Sequence, residues 1–149
     1  MAQIVVNGNS VEAMVTIGCD AGGNGGTGLI EPGFDGYEGM TATIVDTQTN
    51  AKGEIIGAVI CEGVGKVSLR WPYLTVSEWA SILQLFDGTQ GGSFFNLVKF
   101  FDQATGDYVV REMYPSDRKA KGYKRDTSGN LVGWRDCSFN LVDTRRRNL

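Results

Sequence analysis

Nine of the chain's 21 glycines fall within "GCDAGGNGGTGLIEPGFDGYEG", residues 18–39, where Gly23, Gly25 and Gly28 match G-x-G-x-x-G letter for letter. In a dinucleotide site such glycines let the backbone approach a pyrophosphate held at the N-terminus of the following helix, and an acid further on takes the ribose. Asp46, at the end of "TATIVD", stands near that spacing. The residues after the motif, "LIEPGFDG", include Pro32, Gly33 and Gly36, which forbid a helix of useful length. Without the βαβ unit the phosphate reading fails. A G-x-x-x-x-G-K-[ST] loop does not occur, and "GGNGGTGLI" is a single copy of a calcium-binding repeat with Gly26 where an aspartate belongs.

The chain has no histidine, which removes Ser-His and Cys-His catalysis together with histidine metal sites. Cys19, Cys61 and Cys137 are odd in number and far apart, with no C-x-x-C. They read as small hydrophobes in strands (Cys61, Cys137) and beside a loop (Cys19), not as a zinc site. Carboxylate pairs remain, Asp102 with Asp107 and Glu112 with Asp117, each able to meet across a hairpin. Acids at turn ends are more often solvated turn formers than acid and base pairs. No catalytic, cofactor-binding or metal-ligating residue is assigned, and no cofactor is expected.

A chain of 149 residues makes one domain, here 1–149, with a core that buries roughly 70% of the unfolded surface. At net charge −3 and a pI near 4.9, bulk electrostatics favours neither nucleic acid nor an anionic membrane. Near DNA such a protein tolerates contact and does not grip. No apolar run nears the roughly 18 residues that span a bilayer, and "MAQIVVNG" lacks the basic start and apolar stretch of a signal peptide. Folding in a cytoplasm is expected. Two basic clusters, "SDRKAKGYKR" with Asp117 and Arg118, and Arg145, Arg146 and Arg147 in a tail over 143–149, polarise the acidic chain in a way that suits oligomer assembly.

These residues sit on a mostly β framework. "QIVVNGNSVEAMVTI" reads as a hairpin turning at Asn7-Gly8, with Val11, Ala13, Val15 and Ile17 on one face of its second strand. "MTATIVD" and "GEIIGAVI" are β-branched runs joined by a polar turn, and "KVSLRW" is a further alternating strand with Val67, Leu69 and Trp71 aligned. One helix is predicted in "WPYLTVSEWASILQLFDG". Thr75 and Glu78 form its capping box, Leu74 staples against Trp79, Trp79, Ile82, Leu83 and Phe86 make an apolar stripe, and Gly88 is the stop. A second hairpin pairs "SFFNLVKFF" with "DYVVREMY" around "DQATG", where Gly106 suits a left-handed position. After a polar loop, "WRDCSFNLV" is the last strand, led by Trp134 and alternating throughout. One capped helix among about eight strands predicts an α+β, mainly β domain: an antiparallel sandwich or partly closed barrel flanked by a single helix.

From Lys66 onward the order of motifs resembles a small family of uncharacterised tail proteins from long, non-contractile-tailed phages and prophages. Its pattern runs W-x-x-L-[ST] into a helix ending L-L-Q or L-x-L-F, then D-x-x-T-G, then [ML]-Y-x-x-D-R-x-A with a nearby tyrosine, then W-x-x-x-S-F-N-L-[IV]-[ED]. Matching positions here are Trp71, Leu74 and Thr75; Leu83 and Gln84; Asp102, Thr105 and Gly106; Tyr114, Asp117, Arg118, Ala120 and Tyr123; and Trp134, Ser138, Phe139, Asn140 and Leu141. "QIVVNG" is similar to the family's opening I-x-V-N-G. The match covers about the last 80 residues, and the glycine-rich stretch departs from it by its length.

The resemblance implies a virion structural protein, not an enzyme: a tail-tip, distal-tail or tube component with a tail-tube-like sandwich. It would be assembled in the bacterial cytoplasm into a ring, expected to be a hexamer, around the DNA channel. Neighbouring tail proteins would be its partners, with passive contact to DNA and none to membrane. A tail completion or connector protein that binds a neck or tape-measure partner is the alternative, and a nucleotide-binding protein or enzyme a third class. A loop as long as 18–39 is usually functional or disordered. Leu29, Ile30, Phe34 and Tyr37 could anchor it on a neighbouring subunit, a loop folded back on its own domain being the alternative, with Asp117, Arg118 and Arg145 to Arg147 as further contact residues.

Overall fold

The computed structural model describes residues 3–33, 35–49 and 51–145, and within 44–49 and 55–63 the backbone alone. Among the described residues the strands are β1 (Gln3–Val6), β2 (Asn9–Glu12), β3 (Val15–Ile17), β4 (Thr27–Gly28), β5 (Tyr37–Thr49), β6 (Ile55–Thr75), β7 (Asn96–Asp102), β8 (Asp107–Pro115), β9 (Lys119–Gly122) and β10 (Gly133–Asp143). One helix, α1 (Val76–Gln84), and a 3-10 turn (Gly88–Gln90) separate β6 from β7. All pairings are antiparallel. β1 and β2 form a separate hairpin, and the main sheet runs β4-β3-β7-β8-β10-β6-β5, with β9 also on β10. Among the described residues its edges β4 and β5 do not pair, so the sheet is open where a partly closed barrel was the alternative, and the domain is mainly β with one helix as expected.

The core lies where both halves of the sheet turn inward. Val67, Leu69, Trp71, Phe139 and Leu141 meet Val15, Ile17, Val98, Phe100 and Met113, and α1 adds Trp79 and Ile82, with Phe86 just beyond its end. Trp71 stacks on Phe139 at 5.9 Å, and Phe86 meets the same ring edge-on at 5.6 Å. Each such side chain contributes about 1.5–3 kcal/mol by leaving water. The helix starts as its sequence demands. Glu78 N–H donates to Thr75 Oγ1 at 3.3 Å, and Thr75 N–H to Glu78 Oε1 at 3.0 Å. Leu74 and Trp79, the staple pair, are both buried in the one cluster.

Several expectations change. The first hairpin turns at Asn7 (φ 51°) and Gly8 (φ 80°), but its second strand stops at Glu12, and Val15–Ile17 restarts in the main sheet. Val11 is therefore exposed and not on the face of Val15. "GEIIGAVI" and "KVSLRW" are one 21-residue strand, β6. Gly88 is not the helix stop. The helix ends at Gln84 with Leu85 still right-handed, Asp87 caps the 3-10 turn by accepting from Thr89 N–H at 2.9 Å, and the left-handed residue is Gly91 (φ 86°). Gly106 (φ 69°) does close the β7–β8 turn, its N–H reaching the Asp102 carbonyl at 3.0 Å. β7 begins at Asn96, leaving Phe94 and Phe95 exposed before it, Phe94 stacked on Tyr114 and Phe95 edge-on to the same ring. The polar loop after β8 contains β9, because "KAKG" pairs with β10 whatever its own weak preference for strand.

Candidate functional site

Around the glycine-rich loop, the amides that would face a phosphate face the chain's own carboxylate. Gly22 and Asn24 N–H both donate to Asp20 Oδ1 at 2.9 Å, and Gly23 N–H donates to the Asp20 carbonyl at 2.9 Å. Gly28 then enters β4, opposite Thr16, and among the described residues no helix stands between β4 and β5. The loop is the tip of the β3–β4 hairpin, and Gly23 is buried where an added Cβ would touch Lys99 and Val110. At Gly23 the loop thus packs on its own domain, while residues 20–22 and 24–27 on either side are exposed. Lys99 in turn bonds Glu12 at 2.5 Å, tying the small β1–β2 hairpin to the sheet.

The four anchor residues of that stretch separate. Leu29 is 3% exposed and belongs to the core, which removes it from any subunit contact. Ile30 is exposed, while its carbonyl accepts from Trp71 Nε1 at 3.0 Å. Tyr37 is half-buried at the start of β5, where its hydroxyl donates to the Phe101 carbonyl; it too serves the domain's interior. Burial, then the nearby Asp102 charge, hold that hydroxyl far above its ordinary value. Phe34 lies outside the described residues, as do Arg146 and Arg147. Arg145 is exposed at φ 70°.

Asp117 and Arg118 lie together in the exposed connector between β8 and β9, and they lead to a groove the sequence does not announce. Between α1 and β9–β10 runs a cleft of about 560 Å³ lined by Val76, Ala80 and Leu83 of the helix and Ala120 and Trp134 of the strands, with Arg118 and Lys119 on its rim. The signal was present in the helix. Val76, Ala80 and Leu83 recur at i, i+4 and i+7, a second apolar stripe beside the Trp79–Ile82 face. Asp136 adopts φ 50°, and the β9 register shifts between Arg135 and Ser138. Strict alternation breaks there, so Trp134 packs against the core cluster although it was expected opposite Phe139.

The second unusual feature is the β5–β6 ribbon. Against β6, β10 pairs from Thr75 to Lys66, whereas β5 pairs on from Leu69 to Ile55. From Thr41/Gly65 to Thr49/Ile55 the two strands have only each other among the described residues. Asp143 Oδ2 accepts from Gly65 N–H at 3.2 Å at the base of this ribbon, and Gln103 reaches Thr41 beside it.

The carboxylate pairs serve turns and neighbours. Asp102 accepts from Thr105 N–H at 3.1 Å and Asp107 from Tyr108 N–H at 2.7 Å, while Glu112 accepts from Thr144 Oγ1 at 3.0 Å. Among the described residues no group of three or more Cys, Asp or Glu is placed to hold a metal, and no helix is long and apolar enough to cross a membrane. Cys19 and Cys137 are buried free thiols, and burial pushes both up from the ordinary thiol value. The side chain of Cys61 lies outside the described residues. The sequence matches no protein-family model and no curated protein.

Proposed function

We propose that this protein is a structural component of the tail of a long, non-contractile-tailed phage, built in the bacterial cytoplasm and assembled with copies of itself into a ring around the DNA channel. The observation that carries the reading is the ribbon: a two-stranded β arm that no other strand of the described chain covers is the kind of element that other subunits complete. The mainly β architecture with a single capped helix agrees with what the resemblance to tail proteins implies, and that agreement is one of fold. On this reading the protein is not an enzyme; it works by contact with its copies and with neighbouring tail proteins, and its net charge of −3 gives it no bulk attraction for the DNA that passes.

Imaging tests this directly. Light scattering and negative-stain microscopy over a wide concentration range are expected to reveal closed rings, with a hexamer as the expected size. Cryo-EM of the intact tail is expected to place the chain along the tube or at the tip. A position at the neck would select the connector alternative, and a chain that stays monomeric and absent from virions would end the proposal.

A further inference from the structure

Residues 1–65 carry eight carboxylates and one cation, Lys52, while residues 66–149 carry nine carboxylates and thirteen cations, so the net −3 is a −7 segment joined to a +4 segment. The join falls at Gly65, the base of the ribbon. The ribbon's sequence is β-branched and apolar (Ile44, Val45, Ile55, Ile56, Val59, Ile60), with Asp46, Glu54 and Glu62 against Lys52. The α1–β9 groove has the opposite character: an apolar floor, Arg118 and Lys119 on the rim, and Lys121, Lys124 and Arg125 following along the same segment, with Asp117 the one acid among residues 117–125.

The two features lie at opposite ends of the same strand. The ribbon leaves the sheet at Gly65, and the groove opens where β6 runs into α1, at Leu74 paired with Trp134. Nine residues of extended chain separate them, roughly 30 Å at the rise of a strand. The ribbon extends from the end of β6 opposite the groove, so the groove we assign to it is that of another copy. Its own copy's groove is then free for a third.

We propose that the α1–β9 groove is the docking site for the β5–β6 ribbon of a second copy of this chain, the apolar strands lying on Ala80, Leu83 and Trp134 and the ribbon's acids meeting Arg118 and Lys119. The contact is heterologous, with one ribbon and one groove used per copy. It closes into a ring if the rotation per step divides a full turn and otherwise propagates as a filament. The proposal rests on the assembly reading above and names the two surfaces that carry it.

The test uses the full chain and sedimentation velocity across concentration. Arg118→Glu with Lys119→Glu in one variant, and Asp46→Lys with Glu62→Lys in another, are each expected to weaken self-association by about tenfold or more. The two sets combined are expected to recover most of the loss. Ala80→Trp, which fills the groove, and replacement of residues 44–61 by a two-residue Asn-Gly turn, which removes the ribbon, are each expected to give monomers with an unchanged unfolding transition. Mixed together, they should form a complex of one copy each that does not grow, because only one ribbon and one groove remain intact. Self-association of the wild type that survives both the charge reversals and Ala80→Trp would overturn the docking site and leave the assembly reading standing. A wild type that stays monomeric at every concentration would overturn the docking site, and one that is also absent from virions would end the assembly reading with it.

Discussion

The Trp71 indole N–H donates to the Ile30 carbonyl at 3.0 Å, joining the C-terminal part of β6 to the chain that leaves β4. That chain is the link between the two open edges of the sheet, β4 and β5, so the bond holds the link across the core. Trp71 is 2% exposed and also stacks on Phe139. Trp71→Phe keeps an aromatic ring in place and leaves the carbonyl without its donor. Denaturant unfolding is expected to give a loss of about 1–3 kcal/mol, and a neutral substitution would mean that the link is held elsewhere.

Thr75 caps α1 through a reciprocal pair of bonds with Glu78. Thr75→Ala removes the acceptor for the Glu78 amide and is expected to lower stability by about 1 kcal/mol. Thermal or denaturant unfolding reads the difference, and Thr75→Ser should restore most of it.

Gly25 and Gly26 have similar backbones, φ 73° and 84°, but different surroundings. A Cβ on Gly25 meets nothing within 4 Å, whereas one on Gly26 would lie 2.7 Å from the Ile17 carbonyl oxygen and 2.8 Å from the Cys19 nitrogen. Gly25→Ala should cost about 1–2 kcal/mol for the left-handed conformation alone. Gly26→Ala should cost clearly more, since the β3–β4 hairpin must open to admit the methyl group. Equal losses in unfolding experiments would contradict the close approach.

Tyr37 makes stability depend on alkaline pH. Its hydroxyl ionises near 10.0 when unfolded, and burial raises it well above that in the native state. Below pH 10 both states hold the proton and pH has no effect through this group. Above it the unfolded chain releases a proton that the native chain retains, so stability falls as pH rises toward the native value. Tyr37→Phe is expected to lower stability at neutral pH through loss of the bond to Phe101, and to make the decline above pH 10 shallower. Tyrosine absorbance at 295 nm followed alongside unfolding checks both.

Much of the framework is legible in local signals. The Thr75–Glu78 box, the left-handed Gly106, the Asn7-Gly8 turn and the buried set Val67, Leu69 and Trp71 each express a rule that acts over a few residues, and each stands where those rules put it. The errors fall where a neighbour in space overrides the chain's own preference. "KAKG" becomes β9 because β10 offers it a ladder, and Trp134 changes face at the irregularity around Asp136. The glycine-rich loop turns its amides onto Asp20 although the motif, letter for letter, suggests a phosphate.

The candidate surfaces divide in the same way. Leu29 and Tyr37 look like anchors in sequence because they are large and apolar within a glycine-rich stretch, and tertiary packing takes both into the domain. Arg118 stands out as one cation in a basic cluster, but only folding sets it beside Val76, Ala80, Leu83 and Trp134, which come from two distant segments.

By itself, then, the amino-acid sequence determined the helix with its cap, the strand-rich class, the turns and the lack of histidine chemistry, because periodicity, capping and side-chain inventory are properties of short stretches. The tertiary structure alone decided where the sheet stays open, which apolar residues the core consumes, and that ribbon and groove sit at opposite ends of β6. Those depend on which distant segments pair, and pairing is set by the burial and hydrogen bonding of the whole chain.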